Sequence, residues 1–595
     1  MNTNKYLCLL SALAGLTLSH SASFADGHVI EGAADSAPIA HTSLTEFDAC
    51  LPLPDGRVLA GSAGGLVVID KEGVHQAIYT ALDGLPGTRI HSLEAARDGV
   101  WVGTDRGAAR IRLSSVASAD ARPALVVVDA FHSKPVRDIL IDGNSVIAAT
   151  WGQGLVRYNK SAIKTIHKGD SMPASRVTSI AKIDGDYWWT TAGAGLWRKG
   201  KGLAQRSPAF PDNALLWAVE GKNSASALVG GQSGVFSMSG QSKSGNLYSV
   251  RAIDVGKSSV EVASFGGGLR TIRGHKAAHA PSDAFVRSLR TAHGTSCMGS
   301  QNALWIRRGS TKEWAQVELK SSLPGNDIAA FVSNGTETYV GTFEHGVAKL
   351  VNGRFEAIGT KHDPHVNALA IDKVDGALWI ATSSELVRIH KGRVSRFSKH
   401  NGLPSRHVMS LFALKSGGVL VGTAHGAATV KDGFATTLGG KVGIRTGNVW
   451  AVAQSDNGDN WLGTTRGLFR IRSGRIFRYR VISGELKDDW VMALAPASDG
   501  IFVGTYKAGV VRLQIAGDEV TTTQLGEGWI NPGGLHWDGK RLRAATMYGA
   551  FEGNGVTPEW QREKNVLGVD TTVFVPSAGG QEWIVTRNGL SRQRR

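Results

Sequence analysis

The feature that most constrains this chain is a short pattern that recurs along most of its length. Each copy has an apolar run, then Gly-Thr or Ala-Thr, two or three turn residues, a glycine and a second apolar run. Clear copies are Trp101–Gly107, Trp461–Gly467 and Phe502–Gly509. Regular self-similarity is typical of architectures that stack one small structural unit many times.

The copies align on the residue at the threonine position, which is threonine or serine in all but one of them. The fourteen anchor residues are Ser62, Thr104, Thr150, Thr191, Gly231, Ser264, Ser300, Thr342, Thr382, Thr423, Thr464, Thr505, Thr546 and Thr586. Successive anchors are 33 to 46 residues apart, with a mean near 40. That length accommodates four short strands and their turns.

The residues within one unit favour β structure. Alternating segments such as 176–180 precede the anchors, and short apolar runs such as 346–350 follow them, whereas no window of 11 or more residues keeps a helical period. The small residue beside the threonine allows close backbone approach. Five tryptophans share the slot three residues before the anchor and are expected to pack between sheets: Trp101, Trp188, Trp379, Trp461 and Trp583.

A sheet that is apolar on both faces must be covered on each side by a similar unit, and radial repetition provides that cover. The sequence therefore predicts an all-β protein built of β-propellers with four-stranded antiparallel blades. Fourteen blades exceed the usual four to eight per ring, so we expect two seven-bladed propellers in tandem. The predicted boundary lies near Gly309, giving propellers at residues 44–309 and 310–595.

The N-terminus predicts export. Residues 1–25 have a charged start, an apolar stretch too short to span a bilayer and small residues before Ala25, which together indicate a signal peptide cleaved after Ala25. Beyond it no run of about 18 apolar residues occurs, so we expect a periplasmic or secreted protein with no transmembrane segment. The net charge of +16 is spread over both halves of the chain, which argues against dedicated nucleic-acid binding.

The repeat, together with the linkers at residues 83–86, 322–326 and 401–405, resembles the two-component regulator propeller repeat. The linkers read Asp-Gly-Leu-Pro, Ser-Leu-Pro-Gly-Asn and Asn-Gly-Leu-Pro-Ser. The resemblance covers nearly the whole mature chain and implies two seven-bladed propellers of the kind that form the periplasmic sensor region of bacterial hybrid sensor kinases. The chain shows no membrane helix or kinase after Arg595, so we expect it not to signal through a kinase of its own.

Two features bear on how the rings close. The last repeat leaves no residues for a fourth strand, and we expect residues 28–42, within an N-terminal segment at 26–43, to complete a blade by strand exchange. Cys50 falls in the first strand of blade one and Cys297 in the second strand of blade seven, which become neighbours in a closed ring. They are candidates for a disulfide, with two buried free thiols as the alternative.

Binding residues are expected on the face formed by the turns after the anchors and the residues that begin the next blade. The candidates are Arg106, Trp151 and Phe265 in the first ring and Phe343, His345, His425, Arg466, Tyr506, Lys507, Tyr548 and Arg587 in the second. Residues that begin blades on the same face include Arg89, Arg176, Trp217, His365, His407 and Trp490. The second set is richer in aromatic and cationic groups, and either set suits an anionic or sugar-like ligand or an envelope protein. The alternative is that solvated turns simply tolerate such residues.

Catalytic signatures are absent from the sequence: it has no Gly-x-Ser-x-Gly elbow, phosphate loop or His-Glu-x-x-His, and we expect no cofactor and no metal. The favoured hypothesis is an exported, non-enzymatic ligand- or partner-binding double propeller that acts as an envelope sensor or scaffold. One alternative is a propeller lyase or hydrolase acting on a polysaccharide-like substrate, which would place His345 or His425 beside Tyr506 and a carboxylate. Another is a subunit of a secretion or surface assembly.

Overall fold

Fourteen antiparallel sheets follow one another along the chain in a computed structural model. The structure describes residues 38–594 except 98, 113–124, 129–130, 132–133, 160–161, 169–171, 245–246, 257–258, 274–280, 282, 310–312, 360–362, 440–446, 518, 527 and 578–579. The predicted signal peptide lies outside the described residues. We number the sheets as blades 1 to 14 in chain order.

The strand β1 spans Ile39–His41 and precedes all the sheets. Blades 1 to 7 contain β2–β5 (Ala49–Pro52, Val58–Ser62, Gly65–Ile69, His75–Tyr79), β6–β9 (Ile90–Ala96, Gly99–Thr104, Gly107–Ile111, Leu125–Val128), β10–β13 (Val136–Asp142, Ser145–Thr150, Gly154–Asn159, Ala162–His167), β14–β17 (Val177–Ile183, Asp186–Thr191, Leu196–Lys199, Gln205–Arg206), β18–β20 (Leu216–Glu220, Leu228–Gly231, Gly234–Ser237), β21–β23 (Val250–Val255, Val260–Ser264, Gly268–Arg273) and β24–β27 (Val286–Ala292, Thr295–Ser300, Leu304–Arg308, Ala315–Gln316).

Blades 8 to 14 contain β28–β31 (Ile328–Ser333, Thr338–Thr342, Val347–Val351, Arg354–Ala357), β32–β35 (Val366–Ile371, Leu378–Thr382, Leu386–His390, Arg393–Phe397), β36–β39 (Val408–Ala413, Val419–Thr423, Gly426–Lys431, Phe434–Thr437), β40–β43 (Val449–Gln454, Asn460–Thr464, Gly467–Arg472, Arg475–Tyr479), β44–β47 (Val491–Ala497, Gly500–Thr505, Val510–Ala516, Glu519–Gly526), β48–β51 (Ile530–Trp537, Leu542–Thr546, Gly549–Gly553, Trp560–Arg562) and β52–β54 (Thr571–Ser577, Gln581–Thr586, Gly589–Arg594). Short helical turns lie at Ala81–Asp83, Met172–Ser175 and Lys399–Asn401.

The first strands of consecutive blades pack side by side and form two closed circles. In the first, β2, β6, β10, β14, β18, β21 and β24 follow in order, and β24 packs against β2; in the second, β28 to β52 close in the same way. The predicted fold, two seven-bladed β-propellers in tandem, is therefore confirmed. Twelve of the sheets have four strands, whereas blades 5 and 6 have three among the described residues. These two blades fall where the anchor spacing shortens to 33 and 36 residues.

The anchor threonine holds the turn that follows it. In blade 2, Thr104 Oγ1 donates to the carbonyl of Gly107, 3.0 Å away, and accepts from the backbone N–H of Arg106 at 3.1 Å. Every anchor except Gly231 and Ser264 makes the equivalent donor bond. A Cβ on the preceding Gly103 would lie 2.8 Å from the carbonyl oxygen of Val136 in the next blade, so the glycine permits close packing of the blades.

The core consists of apolar clusters between blades. Each of the fourteen clusters draws its residues from two adjacent blades, including the pairs that close each ring. Trp101, Trp379, Trp461 and Trp583 are buried in these clusters as predicted, whereas Trp188 is only half-buried under the guanidinium of Arg198.

The N-terminal strand closes the second ring. Ile39–His41 pairs antiparallel with β54 and supplies the fourth strand of blade 14. His41 packs edge-on against Phe355 of blade 8, with ring centroids 5.4 Å apart, and also contacts Trp583. The strand exchange expected of residues 28–42 thus takes place at 39–41, and residues 28–37 lie outside the described part of the chain.

The strand pairing corrects the expected boundary near Gly309, because the first propeller extends past that residue. Ala315–Gln316 pairs with β26 as the fourth strand of blade 7, and Trp314 and Val317 belong to apolar clusters of the first ring. The chain therefore crosses to the second propeller between Val317 and Ile328. A pattern of strands alone did not reveal this strand because it is only two residues long.

The two connections between the propellers run beside each other. The backbone N–H groups of Thr42, Ser43 and Leu44 donate to the side chains of Ser322, Asn326 and Ser321 at 2.7 to 2.9 Å. Asn326 returns a bond from Nδ2 to the carbonyl of Ser43 at 2.7 Å. Side chains of the second crossing thus satisfy backbone groups of the first.

A disulfide joins Cys50 to Cys297 across the seam of the first ring. The two Cα atoms are 6.1 Å apart, and the cysteines lie in the apolar cluster shared by blades 1 and 7. Beside them, Ser288 Oγ donates to the carbonyl of Phe47 at 2.8 Å. The seam is thus held by a covalent bond, an apolar cluster and a hydrogen bond.

Replacing both cysteines by serine is expected to lower the free energy of unfolding by about 3 to 5 kcal/mol, because the disulfide closes a very long loop in the unfolded chain. Urea denaturation of the double variant and of the oxidised parent measures the difference. Reduction of the parent should reproduce it, and equal midpoints for the reduced and oxidised parent would contradict a stabilising role.

A variant that begins at Thr42 lacks β1 and exposes the outer edge of β54, so we expect a lower melting temperature and self-association. The matched control begins at Pro38 and keeps the strand. Differential scanning calorimetry and size-exclusion chromatography compare the two, and identical behaviour would show that β1 does not support the ring.

Candidate ligand-binding site

In thirteen of the fourteen blades the first strand begins with a β-bulge at the channel mouth, where the residue after the first paired residue is left without a partner across the strand pair. The strand pair of blade 1 is regular from its first paired residue, Ala49, and Asp48 directly before it occupies the equivalent place. We call this place the bulge position. In the first propeller it holds Asp48, His91, Arg137, Thr178, Trp217, Arg251 and Arg287, and in the second Ala329, Asn367, Met409, Trp450, Met492, Asn531 and Thr572. Five ionisable residues thus line the first mouth at this position, against none in the second.

Two carboxylates neutralise two of the arginines in the first mouth. Asp48 accepts from Arg287 Nε at 2.6 Å and from Arg89 Nη2 at 3.3 Å. Glu46 binds Arg89 and lies 3.3 Å from Arg287. Burial raises the pKa of Asp48, but the His91 hydrogen bond and the charges of Arg89 and Arg287 outweigh it and hold that pKa well below its usual range. Asp48 is therefore an ionised, fully paired carboxylate.

His91 is a neutral side chain in the same network. Burial and the charge of Arg137 lower its pKa to about 3. Its Nδ1 lies 3.0 Å from Asp48 Oδ2 and 3.2 Å from Arg137 Nη1. Because an ionised carboxylate only accepts hydrogen bonds, we assign the proton to Nδ1 and the bond to Asp48. Nδ1 then offers Arg137 no lone pair.

Aromatic rings alternate with the remaining arginines. The guanidinium groups of Arg137 and Arg176 lie over Trp151, 5.0 and 5.4 Å from the ring centroid. That of Arg251 lies over Trp217 at 4.3 Å and near Phe265 at 5.5 Å. Such stacking holds the planar cations in place without neutralising them.

Backbone pairing between blades fixes the rim of this mouth. Trp151, in the turn after the anchor of blade 3, pairs with Arg176 at the start of blade 4. Phe265 of blade 6 pairs in the same way with Phe285 of blade 7, and their ring centroids are 5.1 Å apart. The structure thus brings the candidates Trp151 and Phe265 together with Arg176 and Trp217, as their shared place in the repeat implies.

Arg106 does not join this mouth. It lies near enough to Arg562 of blade 13 for the two charges to interact, and burial and Arg562 lower its pKa while Asp105 raises it. A nearby bond from Thr88 Oγ1 to the carbonyl of Leu567, 2.6 Å long, also joins the two propellers. Arg106 therefore belongs to the contact between the propellers.

Asp105, the neighbour of Arg106, is a buried carboxyl group. Its Oδ1 is shielded from solvent and has no hydrogen-bond partner in the described structure. Burial raises its pKa to about 6, and Arg106 and Arg89 oppose that shift.

The predicted candidates of the second propeller fall into separate groups. Arg587 is paired with Asp327 at 2.5 Å and with Asp570 at 2.9 Å, so its charge is compensated. Phe343 packs edge-on against His365, whose Nδ1 lies 2.8 Å from Asp363 Oδ1.

Tyr506 lies between two tryptophans of the same face, with ring centroids 5.1 Å from Trp490 and 4.7 Å from Trp529. Tyr548 is 57% exposed, and Arg466, Lys507, His345 and His425 are exposed turn residues. The backbone N–H groups of His345 and His425 donate to their anchors. In the described residues no hydrogen bond joins either imidazole to a carboxylate or to Tyr506.

Sequence reasoning missed Arg137, Arg251 and Arg287, together with the acids Glu46 and Asp48. It also ranked the second ring above the first, whereas the structure concentrates charge in the first mouth. The sequence does contain a pattern that locates these residues, since the bulge position lies 13 to 15 residues before every anchor. It carries ionisable residues only in the first ring.

The described residues contain no group of three or more His, Cys, Asp or Glu side chains arranged to hold a metal ion. No helix among them is long and apolar enough to cross a membrane.

Comparison with known proteins supports the fold. No family profile and no curated protein matches the sequence. An ancestral GH74 enzyme is similar in structure, with a TM-score of 0.59, 13% identity, and coverage of 94% of this chain and 99% of the other.

Two further structures are more distant. The extracellular domain of the protein described as hybrid two-component system BT4673 of B. thetaiotaomicron has a TM-score of 0.38, 14% identity and coverage of 94% and 83%. PorZ, described as a surface component of the type-IX secretion system of Porphyromonas gingivalis, has a TM-score of 0.32, 13% identity and coverage of 94% and 87%. At these identities the likenesses concern fold alone.

The raised pKa of Asp105 makes stability depend on pH. Between its usual pKa and about 6, the folded protein binds a proton that the unfolded chain releases, so stability falls as pH rises through this window. We expect Asp105→Asn to increase the free energy of unfolding at pH 7.5 by about 1 to 3 kcal/mol, with little effect at pH 4. Urea denaturation at both pH values tests this; a destabilised variant at pH 7.5 would contradict it.

Proposed function

We propose that this chain is an exported, non-enzymatic binding protein that holds its ligand at the mouth of the first propeller and serves as a sensor or scaffold in the cell envelope. The observation that carries the proposal is the difference between the two propellers at the bulge position. Both rings have the same backbone there, but only the first carries ionisable side chains.

Packing of the blades does not require those charges. In the second propeller the bulge position makes hydrogen bonds between blades: Asn367 Nδ2 donates to the carbonyl of Val408 at 2.7 Å, and Thr572 Oγ1 to that of Ile328 at 3.0 Å. Neither Arg137 nor Arg251 donates to a backbone carbonyl of a neighbouring blade in the described structure. Half-buried cations that do not support the fold are typical of a binding site.

Export, the sensor role and binding without catalysis each have separate support. The predicted signal peptide supports export, and the resemblance to the two-component regulator propeller repeat supports a sensor role. The described residues around the first mouth provide arginines and aromatic rings, and among them no nucleophile is activated by a base, which supports binding over catalysis.

The test compares two variants at the same repeat position in different rings. Purified protein from residue 26 onward is titrated calorimetrically with a panel of neutral and acidic oligosaccharides, and the mixtures are analysed by mass spectrometry. We expect at least one oligosaccharide of the panel to bind without being converted into products. Trp217→Ala should weaken the binding of that oligosaccharide about tenfold, because the substitution removes a ring face that stacks with Arg251 and the ligand.

The matched control is Trp450→Ala, which removes an indole from the bulge position of blade 11 and should leave affinity unchanged. Conversion of the bound oligosaccharide into products would favour the lyase or hydrolase alternative. Loss of binding in the control but not in Trp217→Ala would place the site on the second propeller and contradict the proposal.

A further inference from the structure

We propose that the first mouth is an oxyanion site, in which Arg137, Arg176, Arg251 and the indole N–H of Trp217 bind a carboxylate, sulfate or phosphate group. The inference rests on the proposed function, since it names the ligand chemistry of the same mouth. It follows from the charges, the unpaired donors and the stacking geometry of the four residues.

The charges in this mouth do not balance. Arg89 and Arg287 share Glu46 and Asp48. In the described structure no carboxylate forms an ion pair with Arg137, Arg176 or Arg251. Three guanidinium groups therefore lack a direct ion pair, although Asp48 acts on Arg137 and Arg251 through space. A half-buried cation in this situation gains stability when an anion joins it.

Four donors of these same residues are buried without an acceptor. They are the Nε atoms of Arg137, Arg176 and Arg251 and the Nε1 atom of Trp217. Buried polar groups in folded proteins nearly always have a partner, and a cluster of orphaned donors on neighbouring blades points to an absent acceptor. All four donate, so the acceptor must be rich in oxygen lone pairs.

Stacking prepares the guanidinium groups for this acceptor. Trp151 supports Arg137 and Arg176, and Trp217 and Phe265 support Arg251. A ring occupies the face of a guanidinium and leaves its in-plane N–H edges for hydrogen bonds. Oxyanions with two or more oxygens match such edges in pairs.

Nearby residues keep the positive charge in place. The proton on His91 Nδ1 is directed to Asp48, so His91 does not accept from Arg137 through that atom. Asp48 and Glu46 are already engaged by Arg89 and Arg287. The acids of the mouth thus orient two arginines and leave the other three for a ligand.

Four probes test the inference by isothermal titration calorimetry: inorganic sulfate, inorganic phosphate, hexagalacturonate and uncharged maltohexaose. We expect at least one anionic probe to bind, and Arg137→Gln and Arg251→Gln each to weaken that binding about tenfold. Arg251→Lys should recover only part of the loss because lysine keeps the charge but not the planar fork. Arg393→Gln, which removes an exposed arginine from the outer strand of blade 9, is the matched control and should bind as the parent does.

The probes also distinguish sources of the oxyanion. Tighter binding of hexagalacturonate than of the inorganic ions indicates a group carried on an acidic glycan, and equal binding indicates a small free oxyanion; both support the site. Binding of maltohexaose alone, with a loss in Trp217→Ala, would overturn the oxyanion site and leave the proposed binding function standing. Anion binding that is unchanged in both glutamine variants, or no anion binding in folded parent protein, would also overturn it.

The arginine variants are expected to fold, because neither Arg137 nor Arg251 forms an ion pair that the substitution would break in the described structure. Circular dichroism spectra and melting temperatures of all variants verify this. If one glutamine variant fails to fold, the other and Arg251→Lys still decide the outcome, since the variants probe the same site from two blades, 3 and 6.

Discussion

The structure depends on one constraint: each short sheet is apolar on both faces and is stable only between two others. Every apolar cluster is shared by adjacent blades, so a row of such sheets has to close or leave an apolar face in water. Each ring closes in its own way. The first uses the Cys50–Cys297 disulfide, and the second uses a strand from the beginning of the chain.

Because packing and ring closure depend on other parts of the blades, the channel mouths are available for function. The faces of the blades supply the packing, and the anchors hold the turns, so the bulge position is constrained in backbone but not in side chain. The second propeller uses it for neutral residues such as Asn367 and Thr572 that bond to the next blade. The first uses the same position for Arg137 and Arg251, which stack on aromatic rings instead.

The architecture was largely predictable from the sequence because its causes are local and repeated. The anchor hydroxyl, the preceding glycine and the tryptophan slot each recur with the blade, and their roles follow from short-range sterics and hydrogen bonding. The end of the first propeller was mispredicted because the pairing of Ala315–Gln316 depends on a partner strand and not on an apolar pattern. Arg137, Arg251 and Arg287 were missed for a similar reason: a bulge is a property of strand register, in which one residue gains no partner.

Other arginines on the same faces show that this fold can place a carboxylate beside a cation. In the second propeller Arg587 occupies the turn-rich face between Asp327 and Asp570, and in the first Arg287 is bound by Asp48. The same fold thus pairs cations on this face where pairing serves stability. Arg137, Arg176 and Arg251 have aromatic faces where those arginines have carboxylates, an arrangement that keeps their N–H edges and their charge for a ligand. If stability alone determined the residues of this mouth, we would expect carboxylates beside these three arginines. The contrast with the paired arginines is the physical argument for recognition at the first propeller.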